Sequence, residues 1–132
     1  MSDELRRLLT ATLRDEADVD PSFLLENVPI GIVKMCIDGE CLFANTEFAT
    51  YLGATREQLI GDGLTSRQWL GSAGRLALER LLLSAAACGT YGPSTVPFRT
   101  KDGITVMLYS RGTRTREKDG VHIVSLFAKE PL

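Results

Sequence analysis

Apolar and polar residues alternate in two separate parts of the chain, and a stretch of helical spacing lies between them. The first alternating part surrounds Asp38-Gly39 and predicts strands over 30–37 and 40–44. Asp-Gly suits a two-residue hairpin turn, because both central residues need positive φ. With that loop, Ile37 faces Glu40, Cys36 faces Cys41, Met35 faces Leu42 and Lys34 faces Phe43. Period-two alternation then predicts one face of Val33, Met35 and Leu42, which reads as core, and a mixed face of Ile32, Lys34, Cys36, Cys41 and Phe43. The second alternating part holds two more Asp-Gly pairs, Asp102-Gly103 and Asp119-Gly120, and predicts strands over 94–101, 104–111 and 121–127 joined as a meander. Pro97 cannot donate to a ladder, so its strand is expected at an edge.

In the middle, Asn45 is a good N-cap for a short helix carrying Phe48, Tyr51 and Leu52, with Gly53 as its stop. Thr55 and Gln58 stand at capping-box spacing before a second short helix that Gly61 is expected to end. A longer helix over 72–88, capped by Ser72 and closed by Gly89, is expected to bury Leu76, Ala77, Leu81 and Ala85. Ahead of all this, Leu5, Leu8, Leu9 and Leu13 form an apolar stripe on an amphipathic flanking helix. An acidic linker over 15–20 follows, and Asp20-Pro21 begins a further short helix through Phe23, Leu24 and Leu25. The domain reading is a flanking helix and linker over 1–20, one folded domain over 21–128 and a tail over 129–132.

For the two strand groups to share one core, the last strand must lie beside the first. The fold class is therefore α+β: a five-stranded antiparallel sheet of order 2-1-5-4-3, with short helices on one face and the amphipathic helix flanking it. A length of 132 residues with 44% apolar content supports one such core and leaves little room for a second. The net charge of −2, from 15 basic and 17 acidic residues that are interspersed, offers no electropositive face for nucleic acid. No apolar run reaches the roughly 20 residues a membrane span needs. With no leader pattern either, the expected location is cytoplasmic. Three cysteines without CxxC spacing fit neither a disulfide framework nor a zinc finger, so no metal is expected.

Taken in order, several segments resemble PAS domains. Asn27-Val28-Pro29-Ile30-Gly31-Ile32, then Ile37-Asp38-Gly39-Glu40, then Phe43-Ala44-Asn45 followed by Phe48 and Leu52-Gly53, is similar to the opening half of that family. The stretch from Gly89 to Pro93, with Val96-Pro97-Phe98-Arg99 and Lys101-Asp102-Gly103, resembles the later half in bacterial sensor kinases and diguanylate cyclases. The resemblance runs from about Phe23 to Phe127. It implies that Asn45 starts the first helix, that 72–88 is the long connecting helix, and that 5–13 is a flanking helix; this helix can fold back over the mixed sheet face with Ile32 and Phe43, pair with the same helix of a second copy, or do both, and the resemblance favours the homodimer. It also implies a sensory module that binds a small molecule or mediates dimerisation, and relays its state to an attached or partner output domain. One departure is the ending Ala128-Lys129-Glu130-Pro131-Leu132, where many kinase-linked relatives continue into a helix.

Candidate chemistry is sparse. The single histidine, His122, falls in a strand, where a sheet-face position is the simpler role. Glu47, Glu57 and Glu79 fall at solvated helix positions. Against the family, the flavin-type Asn-Cys-Arg-Phe motif is missing and 72–88 holds no haem-ligating histidine, so neither cofactor is expected. A small apolar ligand would lie between the sheet and the helices, lined by Val33, Met35, Leu42, Phe48, Trp69, Leu76, Val106 and Leu108, each of which also reads as plain core. Cys36 and Cys41, if directly opposed, form a candidate redox pair at the short limit of disulfide geometry. The alternative function, a small enzyme or ligand carrier with a helix-lined cavity, requires ionisable groups in that cavity.

Overall fold

Residues 28–132 are described by a computed structural model of the chain. Strands and helices follow in the order β1 (Gly31–Cys36), β2 (Cys41–Ala44), α1 (Thr46–Leu52), α2 (Arg56–Asp62), α3 (Ser72–Cys88), β3 (Thr90–Arg99), β4 (Thr105–Glu117) and β5 (Gly120–Ala128). The strands make one antiparallel sheet in the order β2-β1-β5-β4-β3, as the sequence predicts. β5 runs beside β1 from Phe127 opposite Gly31 to His122 opposite Cys36, with no register break. Pro97 lies on the edge strand β3, where its missing amide costs no ladder bond. The stripe of Leu5, Leu8, Leu9 and Leu13, and the short helix after Asp20-Pro21, lie outside the described residues.

The first two turns differ from the two-residue form, and the third keeps it but is shifted by one residue from Asp119-Gly120. Cys36 N donates to Glu40 O and Gly39 N to Cys36 O, both at 3.0 Å, which closes a three-residue loop of Ile37, Asp38 and Gly39. The same pattern recurs between Thr100 and Ile104, at 2.8 and 2.9 Å. In each loop the glycine takes the left-handed position, with φ of +91° at Gly39 and +81° at Gly103. At the third hairpin Glu117 faces Gly120, so Lys118 and Asp119 are the loop.

This one-residue difference has a consequence for the core. Met35 pairs with Cys41, not Leu42, and a bulge between Lys34 and Met35 restores the expected Lys34–Phe43 pair. Leu42 is the extra residue on the bulged strand and is 36% exposed, whereas Cys41 turns inward and is buried.

The helix signals act as local chemistry requires. Asn45 Oδ1 accepts from Phe48 N at 3.0 Å, and Gly53 ends α1 with φ +67°. Thr55 and Gln58 form the reciprocal capping box. α2 passes through Gly61 and stops at Gly63, and α3 is preceded by Gly71, not capped by Ser72. The buried stripe of α3 is Gly74, Leu78, Leu82 and Ala85, with Leu81 at its margin. Leu76 is 48% exposed. Gly74 accounts for the rotation: a Cβ there would run into the Pro97 carbonyl oxygen, so this glycine is where α3 presses on β3. Leucines at 76, 78, 81, 82 and 83 surround the helix, and spacing alone fits more than one stripe.

The main core lies between the helices and one face of the sheet. Phe48, Phe98 and Phe127 meet at its centre, with ring centroids 4.9 to 5.5 Å apart. On the opposite face Ile32 and Val124 are buried with Val28 and Ile30, and Phe43, Leu126, Ala128 and Leu132 pack against them. Among the described residues no helix is long and apolar enough to cross a membrane.

Candidate functional site

Asn45 fixes where the helices leave the sheet. Besides capping α1, its Oδ1 accepts from Ile32 N at 2.9 Å and its Nδ2 donates to Ile30 O at 2.8 Å. One buried amide therefore satisfies backbone groups at the start of β1 and at the start of α1, which would otherwise be unpaired inside the protein.

The helix-covered interior gathers most of the expected pocket residues. Val33, Met35, Phe48, Trp69 and Leu108 are buried together in one cluster, and Val106 packs on its margin. Leu42 and Leu76 do not join them, for the register and rotation reasons given above. Leu78, Leu82, Phe98 and Phe127 contribute as much and were not among the candidates. Alternation carried the signal for the last two, since Phe98 stands beside Val96 and Phe127 beside Ile123 at the same parity.

A buried hydroxyl cluster interrupts this apolar interior. The Tyr91 hydroxyl donates to Ser125 Oγ at 2.8 Å and is also bonded to Ser110 Oγ. A phenol has one proton, so Ser110 is the donor in that second bond. The Tyr91 ring lies over Gly112, where any side chain would collide with it. Burial pushes the Tyr91 pKa up, and the two serine hydrogen bonds partly oppose this. Burial also pushes the Cys41 thiol up to about 12. The Trp69 Nε1 is buried with no hydrogen-bond partner.

The other face of the sheet is polar at the end near the β1–β2 and β4–β5 turns. Cys36 faces outward there, with His122 as its register partner, while Cys41 lies on the helix-covered face opposite Met35. The direct opposition that a Cys36–Cys41 disulfide needs is therefore not formed. Burial and the carboxylates of Glu40, Asp38 and Asp119 raise the Cys36 pKa. His122 is 6% exposed, and its Nε2 lies 3.1 Å from Asp119 Oδ1. Lys34 and Glu117 pair at 2.8 Å, and the Lys34 hydrogen bond holds the Glu117 carboxyl below its usual pKa.

No family model and no curated protein matches the chain. Solved structures do match. A PAS domain from Desulfitobacterium hafniense is 24% identical and superposes with a TM-score of 0.63, over 80% of this chain and 97% of that one. A PAS domain from Colwellia psychrerythraea is 17% identical, with a TM-score of 0.69 over 88% and 94% of the two chains. The fold is that of PAS domains. A domain of a sensory box sensor histidine kinase/response regulator from Geobacter sulfurreducens shares it as well, at 19% identity and a TM-score of 0.62, over 80% and 87% of the chains. In PAS terms, the Asn45 clamp joins the first hairpin to the helices, and the interior just described lies between the sheet and α3.

Proposed function

We propose that this chain is a sensory and signal-relay module, with the helix-covered interior as its sensing region and the sheet as the route to an attached or partner output domain. The observation that carries this reading is the character of that interior. Among the described residues no Asp, Glu, Lys or Arg is buried. The titratable groups in the main core, Cys41 and Tyr91, have raised pKa values that keep them neutral at ordinary pH. Such an interior suits an apolar molecule with one hydrogen-bonding head, and it lacks the convergent acids and bases that an enzyme or charged-ligand carrier would use. The likeness to a domain of a histidine kinase/response regulator protein supports the relay half of the proposal.

Two further features belong to the same reading. Neither haem nor covalent flavin chemistry is part of it, because α3 offers no histidine and the chain lacks a flavin-type cysteine motif. Homodimerisation is assigned to the stripe of Leu5, Leu8, Leu9 and Leu13, and the module is placed in the cytoplasm. Native mass spectrometry of the freshly purified chain tests ligand and subunit number together. A small-molecule adduct or a dimer supports the proposal, and a ligand-free monomer at every concentration overturns it.

A further inference from the structure

Trp69 is the one tryptophan of the chain and is only 1% exposed. It stands in the segment between α2 and α3, where the backbone is held on both sides of it. Trp69 N donates to Ser66 O at 3.0 Å, Trp69 O accepts from Arg99 N at 2.7 Å, and the next residue, Leu70, bridges to Phe98 on β3. The Arg99 side chain adds a bond to Arg67 O at 3.1 Å. The indole is therefore carried on a fixed backbone, and it packs in the main core with Phe98.

An indole Nε1–H can only donate, and a buried one ordinarily finds an acceptor. Here Nε1 is buried and has no partner. The polar side chains of the same cluster are committed elsewhere: Cys41 Sγ donates to Phe43 O at 3.5 Å and the Tyr91 hydroxyl to Ser125. The hydroxyl group of residues has a surplus of its own, because three hydroxyls share two hydrogen bonds and one proton is left over whichever way they turn. The interior thus holds more donors than acceptors, and among the described residues no Lys or Arg is buried to balance an anion. A carboxylate ligand would enter without a counter-charge. An alcohol would add one more donor. A neutral carbonyl oxygen supplies the acceptor that the indole lacks and brings neither charge nor proton. A water in its place would need two to four polar partners.

We propose that the interior is selective for an apolar molecule bearing a neutral carbonyl oxygen, of the ketone or ester class, and that Trp69 makes the selection by donating Nε1–H to that oxygen. This rests on the reading of the helix-covered interior as the sensing region and names the class of ligand it takes. The backbone bonds around Trp69 hold the donor in place before the ligand arrives, so little ordering is left for binding to bring about. A molecule of the same shape without the carbonyl leaves the buried N–H unpaired, and that loss is the source of selectivity.

The test uses the full chain and two matched pairs of probes, indanone with indane and benzophenone with diphenylmethane, each pair differing only in a carbonyl in place of a methylene. With one tryptophan in the chain, a proton–nitrogen correlation spectrum carries one indole N–H signal. That signal should shift saturably with at least one ketone, which should bind roughly tenfold or more tightly than its hydrocarbon. Trp69→Phe keeps an aromatic ring and removes the donor. Followed on backbone amide signals, it should bring the ketone and its hydrocarbon to within about twofold of each other. The wild-type comparison stands without the variant, whose fold is checked by far-UV circular dichroism. Equal affinities within both pairs, an indole signal that stays in place while a ketone binds, or a preference retained in Trp69→Phe overturns the proposal and leaves the apolar sensing interior standing. Binding of no probe overturns it as well, and native mass spectrometry then judges the sensing reading separately.

Discussion

The same strands build the two faces of the sheet by simple alternation, yet the faces are made differently. Toward the helices stand Val33, Met35, Leu108, Ile123 and Phe127, all fully buried, with one hydroxyl cluster among them. On the other side a small apolar group around Ile32 and Val124 gives way to Lys34, Cys36, His122 and Glu117 within two residues along each strand. Stability should follow packing on the first face. On the second, partly exposed charges paired across strands contribute little net energy. The difference teaches that the outward end of the sheet can carry chemistry without putting the fold at risk, whereas the interior has little such freedom.

Four substitutions break or sharpen that contrast, and urea unfolding reads each. Phe127→Ala removes a ring from the aromatic centre and should cost about 3–5 kcal/mol; a loss under 1 kcal/mol would mean the interior is not close-packed. Asn45→Ala deletes a helix cap and orphans Ile32 N–H and Ile30 C=O, for an expected loss of about 2–4 kcal/mol. Gly74→Ala forces a methyl against the Pro97 carbonyl. About 1–3 kcal/mol of overpacking should outweigh the gain in helix propensity, so a stabilised variant would refute the close approach of α3 to β3. Glu117→Gln, on the outward face, should cost no more than about 1 kcal/mol at neutral pH.

The last of these carries a pH signature. The folded Glu117 pKa is depressed, so its contribution is fully present above the unfolded carboxylate value of about 4.3 and is lost as pH falls through the lower folded value. The stability difference between wild type and Glu117→Gln should therefore shrink as pH falls below the unfolded carboxylate value of about 4.3. A difference that stays constant over that range would show that the ion pair contributes nothing.

Much of the fold was legible in the sequence, and the failures share one origin. Asn45, Gly53 and the Thr55–Gln58 box act within a few residues of themselves, so their roles follow from local chemistry. Pro97 announced an edge because it lacks a donor wherever it sits. The first hairpin was misread by one residue, because Asp-Gly serves both a two-residue turn and a three-residue loop whose glycine is left-handed. That slip exchanged Cys41 for Leu42 in the core. The wrong stripe on α3 arose because leucines face several ways and only the contact at Gly74 decides which way is in. The candidate site was legible to the same degree: five of its eight proposed lining residues lie in the main core cluster, but nothing in the sequence joined Tyr91 to two serines on other strands.

By itself the sequence determined the element types, the helix caps, the strand order and an interior poor in charge, because each depends on periodicity or on groups close along the chain. Tertiary structure decided which residue of each near-equivalent pair turns inward, and which polar groups from distant strands meet. Tyr91 with Ser110 and Ser125, and Cys36 with His122, are 19 to 86 residues apart. Only the register of paired strands brings them together, and register is settled by the packing of the whole sheet against its helices.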